Sequence, residues 1–130
     1  MHSQPPKRPT DAELNILHIL WEQGPSTVRQ VHKALNRTTA TGYTTALKML
    51  QIMTEKGLVV RDEGERPQVY QPRWPREQTE RQLVGDLLDR AFGGSAKRLV
   101  MQALAVRKAS AEELAQIEKL LNRLEKENSK

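Results

Sequence analysis

The chain has 130 residues, a formal net charge of +5, 37% hydrophobic and 4% aromatic residues, and no cysteine. That length suits one domain, or a small domain with an arm. The sparse apolar content argues against a single large core, and the positive balance favours an anionic partner. Lacking cysteine, the chain can have no disulfide scaffold, thiol nucleophile or thiolate metal site.

The amino-terminal stretch MHSQPPKRP has no apolar segment behind it, so it reads as a flexible tail over residues 1–9 rather than a signal peptide. Thr10 followed by Asp11 and Glu13 predicts a capped helix, with Leu14, Ile16, Leu17, Leu20 and Trp21 as its apolar stripe. Gly24-Pro25 ends it. Ser26 or Thr27 caps a second helix that turns Val28, Val31, Ala34 and Leu35 inward. Residues 36–40 form a turn. Thr41 then caps a third helix with Ala46, Met49, Leu50 and Met53 on its apolar side, and Gly57 closes it. From Ser26 to Thr54 there are four basic residues, Arg29, Lys33, Arg37 and Lys48, and none of the chain's 16 acids.

Leu58-Val59-Val60 and Gln68-Val69-Tyr70-Gln71 flank a polar, Gly-containing turn and predict a two-stranded hairpin. Pro72 and Pro75 bracket Trp74 and mark a boundary. Beyond it every segment reads as helical: about 77–92, then from the Ser95 cap to about Lys108, then from a Ser110/Glu113 capping box to the end. No apolar run exceeds the four residues Ala103 to Val106, too short for a membrane-spanning helix. Leu114, Ile117, Leu121 and Leu124 recur at heptad spacing. The expected organisation is a tail at 1–9, a DNA-binding domain at 10–75 and a helical dimerisation domain at 76–130. The expected fold is mainly α with a small β-hairpin: a winged helix-turn-helix plus a helical arm.

In a winged helix the third helix enters the major groove and the hairpin lies over the adjacent backbone. The acid-free stretch spans both helices of the helix-turn-helix, where phosphate attraction would place it. Two other readings stay open on these residues alone. One is a winged-helix adaptor that binds protein, and the other is a general nucleic-acid binder without an operator.

Several strings resemble the penicillinase-repressor (BlaI/MecI/CopY) family. They are Pro9-Thr10-Asp11-Ala12-Glu13-Leu14, Leu20-Trp21, Gly24-Pro25, Val28-Arg29-Gln30-Val31, Tyr43-Thr44-Thr45 and Glu55-Lys56-Gly57-Leu58-Val59. Asp86-Leu87-Leu88, Phe92-Gly93-Gly94-Ser95 and Leu99-Val100 also match, so the resemblance covers about residues 9–125. It implies a cytoplasmic homodimeric repressor that occupies a palindromic operator on double-stranded DNA and is held together by its carboxy-terminal helices. In antibiotic-responsive members a regulatory protease cuts the dimerisation domain, at an Asn-Phe bond after Leu-Val. The matching positions here are Gln102-Ala103. The family's copper-responsive members carry paired cysteines, which this chain lacks. Ile52 stands where the family commonly has Arg.

The candidate DNA contacts are Thr41, Tyr43, Thr44, Thr45 and Lys48 on the third helix, Thr27 and Arg29 at the start of the second, and Arg66 at the hairpin tip. Hydroxyls there can bond phosphates or base edges, and a helix amino terminus attracts phosphate. Arg66 is surrounded in sequence by Asp62, Glu63 and Glu65, so the wing is not basic overall. Candidate dimer contacts are Leu83, Leu87, Phe92, Ile117, Leu121 and Leu124. The three histidines are scattered, no cofactor motif or nucleophile string occurs, and neither a metal site nor an enzyme is expected. Trp21 and Trp74 are expected in the core.

Overall fold

A computed structural model describes residues 8–64 and 66–129; most of the tail expected at 1–9 lies outside them. Six helices and three short strands follow in order: α1 (Asp11–Gln23), β1 (Ser26–Thr27), α2 (Val28–Leu35), α3 (Tyr43–Lys56), β2 (Val59–Asp62), β3 (Val69–Pro72), α4 (Arg76–Ala91), α5 (Ala96–Val106) and α6 (Ala111–Asn128). The described residues up to Val84 form one compact unit and those from Gly85 a second.

The first unit is a winged helix. The Thr10 hydroxyl accepts from the Glu13 amide, and the Glu13 carboxylate accepts from the Thr10 amide at 2.9 Å, completing the expected capping box. Ile16, Leu17 and Leu20 of α1, Val31 and Leu35 of α2, and Leu50 and Met53 of α3 share one buried core with Leu58, Val59 and Tyr70. Each such side chain contributes about 1.5–3 kcal/mol by leaving water. Gly57 closes α3 at φ 80, a left-handed conformation that glycine adopts without a Cβ clash.

The sheet has three strands in the order β1-β3-β2, all antiparallel, where a two-stranded hairpin was expected. The extra strand is the entry to α2. Thr27 is an N-cap with φ −79 and ψ 165, and a helix cap is already extended. Two extended residues there pair with β3, Ser26 opposite Tyr70 and Thr27 opposite Val69. The helix-turn-helix is thereby stitched to the wing.

Glu13 has a second task that its capping role hides. It is 6% exposed and meets Lys56 at 2.6 Å, joining the start of α1 to the end of α3. Burial pushes its carboxyl up, but the Lys56 ammonium and the Thr10 hydrogen bonds outweigh that and hold it below the ordinary carboxylate value of 4.5. A depressed carboxylate stabilises the fold above its unfolded pKa and loses that contribution as pH falls through the folded value. Glu13→Ala removes one half of the capping box and leaves Lys56 without its partner, so unfolding should become easier by about 2 kcal/mol near neutral pH. Denaturant titrations of parent and variant should show this gap narrowing once pH falls below 4.5. A gap independent of pH would mean the ion pair contributes nothing.

Trp21 packs against the core, with Arg76 over its ring at 5.1 Å and His18 edge-on at 5.1 Å. Arg76 opens α4, and Thr79 one turn on is buried, so the first turns of α4 group with the winged helix. Trp74 carries Arg73 over its ring at 5.3 Å. Both tryptophans are half-buried rather than fully enclosed, and their indole nitrogens are shielded from water.

The second unit contains the rest of α4 with α5 and α6. The Ser95 cap and the Ser110/Glu113 capping box form as expected. Neither α5 nor α6 buries a single residue. No described helix is long and apolar enough to cross a membrane.

Candidate nucleic-acid interface

The orientation of α3 follows from its buried side. Ala46, Leu50 and Met53 are fully enclosed. At 3.6 residues per turn the opposite side then carries Thr44, Lys48, Gln51 and Glu55, at spacings of 4, 3 and 4. All four are exposed, as are Tyr43, Thr45 and Ile52 on the flanks. The acid-free character of the stretch therefore becomes a surface. Thr44, Lys48 and Gln51 project from one helix side, and the first acid on it is Glu55 in the last turn. Leu47 is half-buried on the margin of that side.

The turn between α2 and α3 is held by Asn36. Its amide nitrogen donates to the His32 and Thr41 carbonyls, both at 2.9 Å, and its Oδ1 accepts from the Thr41 amide at 3.0 Å. His32 Nε2 meets the same Thr41 carbonyl at 2.7 Å, which requires a protonated Nε2. Thr41 was expected to cap α3. Instead Gly42 is the N-cap and supplies no side-chain bond, because the Thr41 backbone is bound back to α2 and its hydroxyl donates to the Thr39 carbonyl at 3.1 Å. From its sequence alone this segment reads as a turn. An Asx side chain at a helix end was the available signal for Asn36.

At the other end of α2, Thr27 forms a capping box with Gln30, its hydroxyl accepting from the Gln30 amide at 3.2 Å. Thr27, Arg29 and Tyr43 then line one open cavity of about 510 Å³ together with Val28, Leu47 and the hairpin residues Pro67, Gln68 and Tyr70. Three of the sequence candidates are thus brought to one concavity between α2, α3 and the wing. It has a cation and no acid in its lining. Gln68 and Tyr70 were not among the candidates. They arrive there only because β3 pairs with β1.

Arg66 is exposed on the wing. The acids near it are partly engaged: Glu63 accepts from Arg61 at 2.7 Å, and Asp62 accepts from the Gly64 amide at 2.9 Å. Glu63 and then Tyr70 keep the exposed Arg61 guanidinium firmly charged. Arg61, absent from the sequence candidates, therefore offsets Glu63 at the hairpin tip.

The dimer candidates fall on the remaining helices. Leu87, Leu121 and Leu124 are exposed, while Leu83, Phe92 and Ile117 are half-buried. They are accompanied by exposed Val100, Met101, Leu104, Leu114 and Leu120. Among the described residues no cluster of three metal-ligating side chains occurs.

The penicillinase repressor family model matches residues 9–123. The transcriptional regulator BlaI of Mycobacterium tuberculosis is 30% identical over 116 residues, covering 88% of this chain and 83% of that protein. The solution structure of monomeric Bacillus licheniformis BlaI in complex with the blaP half-operator aligns at TM-score 0.51 and 24% identity, covering 57% of this chain and 90% of that one. A MarR family protein from Bacillus stearothermophilus aligns at TM-score 0.51 and 20% identity, covering 95% and 78%. At those identities the two structures speak for the winged-helix fold.

Proposed function

The chain belongs to the penicillinase repressor family of DNA-binding transcriptional regulators, and from that premise we propose that it acts in the cytoplasm as a homodimeric repressor on a palindromic operator. The family and its named relative are regulators rather than enzymes. The observation that carries the reading is the outward side of α3, where Thr44 and Lys48 project beside the acid-free α2 terminus. Residues 10–75 supply DNA contact and residues 76–130 supply dimerisation. Thr27, Arg29, Thr41, Tyr43, Thr44, Thr45, Lys48 and Arg66 are the contact set, hydroxyls and cations meeting phosphates and base edges.

The dimer is supported by the apolar surface of the arm. Leu121 is 52% exposed and Met101 61%, in a unit none of whose described residues is buried. A second copy presenting the same heptad stripe covers such surface by self-complementarity. BlaI of Bacillus licheniformis engages a half-operator as a monomer, and two such domains on one two-fold axis would take both halves of a palindrome. Release by a regulatory protease fits the same arrangement. Gln102 and Ala103 are exposed on α5, and a cut there would part α6 from the DNA-binding half.

The test is binding of the full chain to duplexes enriched from a random-sequence pool. Lys48→Ala should weaken all sequences alike, by roughly five- to tenfold, as loss of a phosphate ligand does. Thr44→Ala should change sequence preference more than overall affinity. Both side chains are exposed, so both variants should melt like the parent. Unchanged binding in both would mean that another side of the domain meets DNA.

A further inference from the structure

We infer that Gln51 is a base-reading residue that selects adenine in each half-site, an inference that rests on the repressor reading above. Gln51 is exposed on the outward row of α3, three residues after Lys48 and seven after Thr44. Seven residues advance about 10.5 Å along a helix axis, close to three base-pair steps of about 3.4 Å. Gln51 and Thr44 therefore face different base pairs of one groove.

Chemistry sorts the members of that row. Lys48 is a point charge suited to phosphate or guanine. Glu55, in the last helical turn, is repelled by phosphate and marks where α3 leaves the groove. Gln51 is the last neutral side chain before it with both a donor and an acceptor, the pair that matches adenine N7 and N6 at once. No internal role competes, because the Gln51 side chain makes no hydrogen bond or ion pair among the described residues. Its neighbour Ile52 is 38% exposed on the flank of that row. A branched apolar side chain beside the glutamine suits a thymine methyl and cannot hold a phosphate. Gln51 and Ile52 together thus favour A·T pairs where the carboxy-terminal half of α3 meets the half-site.

The experiment is enrichment from a random-sequence duplex pool by the parent, Gln51→Ala, Gln51→Glu and Lys48→Ala, followed by salt titration on the parent's best duplex. Gln51→Ala should turn one adenine of each half-site degenerate and weaken the best duplex on the order of tenfold. Its salt slope should stay at the parental value, whereas Lys48→Ala should lower the slope. Gln51→Glu should move the preference at that position towards cytosine, whose N4 amino group donates to a carboxylate. A parent that enriches no motif overturns the repressor reading and this inference with it. A parent that enriches a motif which Gln51→Ala reproduces at every position overturns only the role given to Gln51. A Gln51→Ala variant with a reduced salt slope and an unchanged motif makes Gln51 a backbone contact, which also overturns it.

Discussion

Raising salt from about 50 to about 200 mM is expected to weaken operator binding roughly a thousandfold, the loss for about six phosphates neutralised per dimer. Six is the number supplied when two protomers each contribute Arg29, Lys48 and Arg66, all exposed. Three further basic residues of the first unit are already engaged. Lys56 is committed to Glu13 and Arg61 to Glu63. Arg76 is engaged with Glu80 and stands over Trp21. The slope of log affinity against log salt counts the cations that meet phosphate, and fluorescence anisotropy on a labelled duplex reads it directly. A nearly flat response would exclude this surface as a phosphate site and favour a protein-binding winged helix.

The second large effect is expected from Leu121→Asp combined with Leu124→Asp. In an isolated protomer these side chains are 52% and 43% exposed, so charge there costs little. In a shared dimer core the same aspartates would be desolvated without partners. The double variant should therefore sediment as a monomer at micromolar concentration while its winged helix still melts cooperatively. Operator affinity should fall by about two to four orders of magnitude, since the second half-site is no longer bound at high effective concentration. A fragment ending at Val84, where the first compact unit ends, should bind as weakly as the double variant. A monomeric parent, or a double variant that still dimerises, would assign the exposed heptad stripe some other task.

Much of this architecture was legible from neighbouring residues alone. The capping boxes at Thr10/Glu13 and Ser110/Glu113, the Gly57 terminus and the spacing of Ala46, Leu50 and Met53 all depend on contacts three to five residues apart, which a string displays directly. The outward row that carries Gln51 is legible in the same way, as the complement of the buried spacing. The heptad of α6 marked an apolar surface in advance, and no described residue of that helix is buried.

The tertiary structure decided what depends on how those elements pack. Glu13 and Lys56 are 43 positions apart, and nothing local pairs them. The extension of Ser26 and Thr27 is a capping geometry, and it became a strand only because β3 lies within reach. Thr41 reads as a cap by composition, yet Asn36 and His32 bind its backbone, and competing hydrogen bonds moved the helix start to Gly42. Tyr70 and Gln68 joined Arg29 and Tyr43 around one cavity because three antiparallel strands fold the wing against α2. Spacing along a chain specifies which side of an element is apolar. The rotation and register at which those sides meet specify which polar groups share a surface, and that information exists only once the core has closed.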